Sequence, residues 1–346
     1  MSQAFRTLLR KVASGTHTSK DLTRVEAEAA LEMILTQEAT PAQIGAFLVA
    51  HRIKRPTSME MAGMLDAYDR FGGRLEPVSN SKPVIILSSP YDGRSRTAPI
   101  SPLTAMVLAA AGINVITHGG DRMPTKAGIP FMEIWQGLDV HWQNLDLTQV
   151  QTVLNQTGFA FVYLADHFPL AQAIVAYRDQ IGKRPPLATL ELMWAPYKGT
   201  AHIACGFVHP PTEATMREAF ALTDCKDYTT VKGSEGSCDL PRDRSAIIGL
   251  GTERLVLNAR DFGFSNFEVP LTTTAELITD IQQVLAGEKT EYQRSLIWNS
   301  GFYLWRMGIS PNLESGFTLA ENLINSGKVR EKLGEIKQAI ANLKNP

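Results

Sequence analysis

Two hydrophobic rhythms divide the chain near residue 80. Up to residue 75 the apolar positions fall at helical spacing, as at Ile44, Phe47 and Leu48, which share one helix face. Three capping boxes mark helix starts there: Thr23 with Glu26, Thr40 with Gln43, and Thr57 with Glu60. In each, the hydroxyl accepts from a free backbone N–H and the acid or amide reaches back to the cap. Pro41 follows Thr40 at the position where a missing N–H costs nothing. Gly72 and Gly73 end the block, which predicts a small helical domain over residues 1–75.

From Lys82 the rhythm changes. Short β-branched runs, PVIIL (83–87), INVIT (113–117), FAFVYL (159–164), YTTV (228–231) and RLVLN (254–258), alternate with helical stretches such as Leu103–Ala111, Ile129–Gln136 and Leu170–Ile181. This alternation predicts an α/β domain over 80–346 with a central, mostly parallel sheet. The runs are nearly all apolar, as strands covered on both faces must be. Residues 272–345 return to helix and end in a charged amphipathic stretch, Lys328–Lys344. A helix near 168–195 is expected to join the helical domain.

Composition narrows the class. A chain of 346 residues suits about two domains and can bury a core without disulfides. Lys+Arg number 34 against 35 Asp+Glu, so the general basic excess of a dedicated nucleic-acid binder is absent. Cys205, Cys225 and Cys238 form no CxxC pair, which fits a reducing compartment and suggests no zinc site. The N-terminus lacks a signal-peptide core, and the longest apolar stretch, Leu103–Ile116, is too short to span a bilayer. The expectation is a cytoplasmic protein with no membrane partner.

In open α/β sheets ligands bind beyond the carboxyl ends of the strands, so the post-strand loops carry the chemistry. After the first run, SSPYDGRSRTAPIS (88–101) holds Asp92, Gly93, Arg94 and Arg96, then Ser101 as the expected cap of a helix opened by Pro102. Arginines beside a helix N-terminus make an anion site, or else a solvated loop with routine capping. After the second, HGGDRMPTK (118–126) offers His118, Gly119, Arg122 and Lys126, again a ligand loop or a tight turn. ADHFP (165–169) places His167 at a strand end, as a ligand donor or a satisfied buried histidine, with Arg178 in the helix beyond. KGSEGSCDLP (232–241) carries Glu235 and Asp239, which can hold Mg2+ or form a polar turn. Walker A, GxGxxG and GxSxG motifs are all absent from the sequence.

The order of these segments resembles the anthranilate phosphoribosyltransferase family, glycosyltransferase family 3, over most of the chain. TPAQIGAFLVAHRIK (40–54) is similar to its helical-domain signature, HGGDR (118–122) to its Lys-His-Gly-Asn-Arg loop, and GFAFVYLADHFP with Arg178 and Gly182 to its Gly-Phe…His-Pro…Arg…Leu-Gly segment. The resemblance implies a nucleoside phosphorylase/phosphoribosyltransferase-like fold. It also implies transfer from phosphoribosyl pyrophosphate to anthranilate with Mg2+, and homodimers joined through the helical domain. His118, Gly119 and Arg122 would lie on the phosphoribosyl side, and His167 and Arg178 on the aromatic-acid side, where an arginine suits a carboxylate.

The departures are specific. The family's Gly-Thr-Gly-Gly-Asp pyrophosphate loop reads SSPYD (88–92), and Pro90 has no N–H for phosphate. Its loop lysine is Thr117, and its metal-binding Asp-Glu pair is Cys238 and Asp239. YDGRSR (91–96), SPLT (101–104) and GSEG (233–236) resemble instead the divergent YbiB-like branch, associated with dimers that bind nucleic acid without the anthranilate activity. Two functions are therefore expected. One is a cleft for a phosphoribosyl pyrophosphate-like small molecule, with transfer weakened; the other is non-specific nucleic-acid binding through phosphate contacts.

Overall fold

The computed structural model describes residues 2–15, 17–223 and 225–344, and the side chains of these up to residue 343. Four helices come first: α1 (Gln3–Val12), α2 (Arg24–Leu35), α3 (Pro41–Lys54) and α4 (Ser58–Phe71). All three capping boxes form, at Thr23, Thr40 and Thr57. Glu60 does more than close its box. Fully buried, it accepts from Leu22 N at 2.9 Å, Thr57 N at 2.8 Å and Lys54 Nζ at 2.8 Å, tying the approach to α2 onto α4.

Among the described residues seven strands form one sheet: β1 (Val84–Leu87), β2 (Asn114–Gly119), β3 (Phe159–Tyr163), β4 (His202–Gly206), β5 (Tyr228–Val231), β6 (Ala246–Leu250) and β7 (Glu253–Leu257). Their order is β3-β2-β1-β4-β5-β6-β7. The pairings from β3 to β5 are parallel, with Ile86 beside Ile116 and Ile203, and β6 and β7 add an antiparallel edge. The five parallel strands are buried along their whole length, as their apolar runs require.

The remaining helices are α5 (Ser101–Ala110), α6 (Phe131–Gly137), α7 (Leu147–Thr157), α8 (Leu164–His167), α9 (Pro169–Ala173), α10 (Val175–Ile181), α11 (Leu187–Met193), α12 (Pro210–Ala221), α13 (Thr274–Leu285), α14 (Glu291–Arg306), α15 (Leu313–Asn325) and α16 (Lys328–Lys344). Helices α5, α7 and α11 pack on the sheet, and α14, α15 and α16 back α5. Helices α9 to α12 reach the N-terminal bundle, α9 against α2, α10 against α3, and α11 and α12 against α4. Among the described residues no helix is long and apolar enough to cross a membrane.

The strand order is what positions the site. The chain builds the sheet outward from β1 through β2 to β3, then returns to the other side of β1 with β4 and continues through β5. Such a reversal leaves a crevice beyond the carboxyl ends of β1 and β4, because the connections there leave in opposite directions.

Candidate functional site

Three loops meet at that crevice: 88–100 after β1, 207–209 after β4 and 232–241 after β5. Their approach is close enough to require glycine. A Cβ on Gly206, the last residue of β4, would sit 2.2 Å from the carbonyl oxygens of Gly236 and Ser237. Gly93 has φ +72°, and a Cβ there would lie 2.4 Å from the Gly128 carbonyl carbon. The Gly93 turn therefore serves loop-on-loop packing, with Ile129 N donating to Arg94 O at 2.7 Å, rather than approach to a ligand.

Arg94 was expected to face an anion, but its guanidinium is 1% exposed. Nη1 donates to Asp239 Oδ2 at 2.7 Å and to Ser237 Oγ at 2.9 Å, and Nη2 donates to Thr97. Asp239 also accepts from Ile100 N at 3.1 Å and from the Ser101 hydroxyl. Ser101 is thus the first residue of α5 and not its cap, and the helix N-terminus faces an internal carboxylate. Asp92 is likewise buried and ion-paired with Arg184.

Glu235, at φ 54°, accepts from Arg96 N and Thr97 N at 3.0 Å and from Thr97 Oγ1 at 3.1 Å, and pairs with Lys126 Nζ at 2.5 Å. Burial would raise its pKa, but Lys126, the backbone donors and Arg94 hold the carboxyl far below its ordinary value. Burial lowers the Lys126 pKa, against the opposing pull of Glu235. Magnesium does not fit this pair of carboxylates. Asp239 faces Arg94 and Glu235 faces Lys126, so a divalent ion would meet oxygens already held by cations. Among the described residues no group of three or more His, Cys, Asp or Glu is arranged for a metal.

The second loop divides. Lys126 turns toward the crevice, whereas Arg122 grips Glu133, with Nη2 at 2.8 Å from Oε2, and donates to Ala127 O at 3.0 Å. Arg122 lines a separate shallow hollow with Met123 and Gly182. His118 is 1% exposed, 2.5 Å from the Tyr91 hydroxyl and edge-on to Trp194. Burial lowers its pKa to about 3, so the ring is a neutral core group. Gly119 is a buried strand residue whose absent side chain leaves ordinary space around it.

The expected aromatic-acid side is also closed. His167 accepts from Tyr163 N at 2.9 Å and donates from Nε2 to Leu145 O at 2.8 Å, the satisfied buried histidine of the two readings. Arg178 is 2% exposed and paired with the buried Glu191, one contact at 3.2 Å, so its charge is already matched by a carboxylate. Tyr68, Phe168 and Trp194 pack together beside it.

Among the spaces that stay open is a hollow of about 400 Å³ lined by Arg96, Lys126, Arg184, Lys232, Arg244 and Glu235, together with Val208 and Gly233. Five basic side chains line it, of which Lys126 pairs with Glu235, Arg184 with Asp92 and Arg244 with Asp243 at 2.7 Å, while Arg96 is 79% exposed and 3.9 Å from Glu235. Two of these five, Arg96 and Lys126, are among the expected residues. Arg184, Lys232 and Arg244 were missed: Lys232 directly follows the YTTV run and was legible as a strand-end cation, but Arg184 and Arg244 come from irregular segments with no motif.

The comparisons agree with this architecture. Residues 6–72 match the helical bundle domain of the glycosyl transferase family, and residues 92–330 match its a/b domain. The chain belongs to that family. It is similar to the anthranilate phosphoribosyltransferase of Methylobacterium radiotolerans, 25% identical over 97% of this chain and 96% of the relative, and to that of Symbiobacterium thermophilum, 27% identical over 96% of each. The Saccharomyces cerevisiae anthranilate phosphoribosyltransferase in complex with PRPP and Mg superposes with a TM-score of 0.86 at 16% identity, over 99% of both chains. The Thermus thermophilus enzyme gives 0.81 at 19% identity over 98% of this chain and all of that one. At such identities the structural likeness shows a common fold.

Proposed function

We propose that this chain binds a phosphate-bearing ligand of the phosphoribosyl pyrophosphate type at the crevice beyond β1 and β4, and does not transfer the sugar to anthranilate. The observation that carries the reading is the basic hollow: Arg96, Lys126, Arg184, Lys232 and Arg244 outnumber the carboxylates of Glu235, Asp92 and Asp243 that pair with them. Side chains, rather than a divalent ion, supply the positive charge there. Against transfer stand the Arg178–Glu191 pair, in which Arg178 is already matched by a carboxylate, and Pro90, which offers no N–H in the first loop. In this reading residues 1–75 form the helical domain, joined there by the 168–195 segment of the 80–346 α/β domain, and that segment supplies Arg184.

A second reading, non-specific nucleic-acid binding as in the YbiB-like branch, draws on one observation. Beyond the hollow, Arg184 also lines clefts that carry Arg52 and Arg55, extending the basic surface toward the helical bundle. Exposed Val25 and Met59 on that bundle suit pairing of two chains, which would double the surface. Single-stranded DNA affinity should then fall steeply from low to moderate salt.

Thermal denaturation tests the first reading. Phosphoribosyl pyrophosphate and inorganic pyrophosphate should each raise the Tm with concentration, as a ligand that binds only the folded state must. In the same samples anthranilate fluorescence should stay constant over hours. An unchanged Tm refutes binding, and consumption of anthranilate refutes the loss of transfer.

A further inference from the structure

The basic hollow is one end of a longer cleft. An intermediate space of about 330 Å³, bordered by Asp92, Val208 and His209, shares Arg184, Val208 and Glu235 with it. Beyond lies a larger space of about 710 Å³ that again includes Arg184. The far space is mixed in chemistry: Arg52 and Arg55 line it as well as Arg184, beside apolar faces. Pro185 and Pro186 at the start of α11, Pro210 and Pro211 at the start of α12, and Ile53 and Met61 from the bundle line it. Proline rings carry no N–H, so these faces are apolar and rigid. Thr189, Thr215 and His209 add hydrogen-bonding groups at its border.

We infer that the cleft takes a nucleoside diphosphate, with the diphosphate in the basic hollow and the base against the proline faces. The inference rests on the phosphate-binding reading and deepens it. A guest that is only phosphate and sugar leaves the proline faces and Ile53, 68% exposed, in water. A hydrocarbon tail leaves Arg52, Arg55, Thr189 and His209 unmatched. A nucleobase satisfies both, because its faces are flat and apolar and its edge carries donors and acceptors. Each of the three spaces falls within the size range of small-ligand sites.

Calorimetric titration of the full chain with ADP and, separately, with inorganic pyrophosphate tests the inference. Both should bind, ADP at least tenfold more tightly. Ile53→Gln, an exposed position, should reduce ADP affinity at least threefold and leave pyrophosphate affinity unchanged. Arg96→Ala, also exposed, should weaken both. Pyrophosphate binding with no advantage for ADP overturns the inference and leaves the phosphate site standing. ADP binding that ignores Arg96→Ala also overturns it, since the diphosphate would then lie elsewhere. If neither ligand binds, the phosphate-binding reading fails and this inference with it.

Discussion

Arg94 and Asp239 meet at 2.7 Å with both side chains buried, and this contact joins the loops after β1 and β5 into one unit. The carboxylate then reaches the first turn of α5 through Ile100 N and the Ser101 hydroxyl. Charges placed to be read as ligand-binding groups are used here to close the protein on itself. The open positive charge lies one layer further out, at Arg96 and Lys232, with Arg244 beside them paired to Asp243 at 2.7 Å.

Removing one partner of such a pair strands the other in a medium of low polarity. Arg94→Ala should lower stability to urea by about 3–5 kcal/mol. A variant of unchanged stability that no longer binds pyrophosphate would show that Arg94 meets the ligand directly.

Arg178 and Glu191 make a second buried pair, and double replacement separates its structural role from any ligand role. Arg178→Met and Glu191→Leu should each destabilise by about 3–5 kcal/mol, while the double variant recovers most of the loss because no lone charge remains. Additive losses in denaturant titrations would count against pairing.

The fold was legible because periodicity and capping are local. Thr23, Thr40 and Thr57 all cap as their boxes required, and PVIIL, INVIT, FAFVYL, YTTV and RLVLN all contain strands. HIACG and AIIGL escaped notice because His202, Cys205, Gly206 and Gly249 interrupt the β-branched signature that marks the others. The site was less legible because the sequence does not show which acid lies opposite which base. Nothing near Arg94 in the chain announces Asp239, and nothing near Arg178 singles out Glu191 over Asp179. Only strand order brings residues 94, 235 and 239 together.

The buried Glu60 gives a pH signature. Burial raises its pKa, but His51, Leu22 N and Lys54 outweigh that and lower it from 4.5 to about 2. A carboxyl whose folded pKa is depressed stabilises the fold above the unfolded value and loses that contribution as pH falls through the folded one. The stability difference between wild type and Glu60→Gln, on the order of 3 kcal/mol at neutral pH, should therefore shrink between pH 4.5 and pH 2. A difference that stays constant across this window would contradict the assigned ionisation.

Because Lys126 and Arg94 already hold Glu235 and Asp239, magnesium should contribute little to ligand binding. Pyrophosphate affinity measured in EDTA and in millimolar Mg2+ should agree within about threefold, below the roughly 1.4 kcal/mol that a tenfold change represents. Binding that appears only with the metal would require these carboxylates to release their cations.

The most direct test of the basic hollow is calorimetric titration of phosphoribosyl pyrophosphate into wild type and into the Arg96→Ala, Lys232→Ala, Arg244→Ala triple variant. Saturable binding to wild type and at least a tenfold loss in the folded variant are expected. Equal affinity in the two proteins, or no heat with wild type, would contradict the assignment of this hollow as the phosphate site.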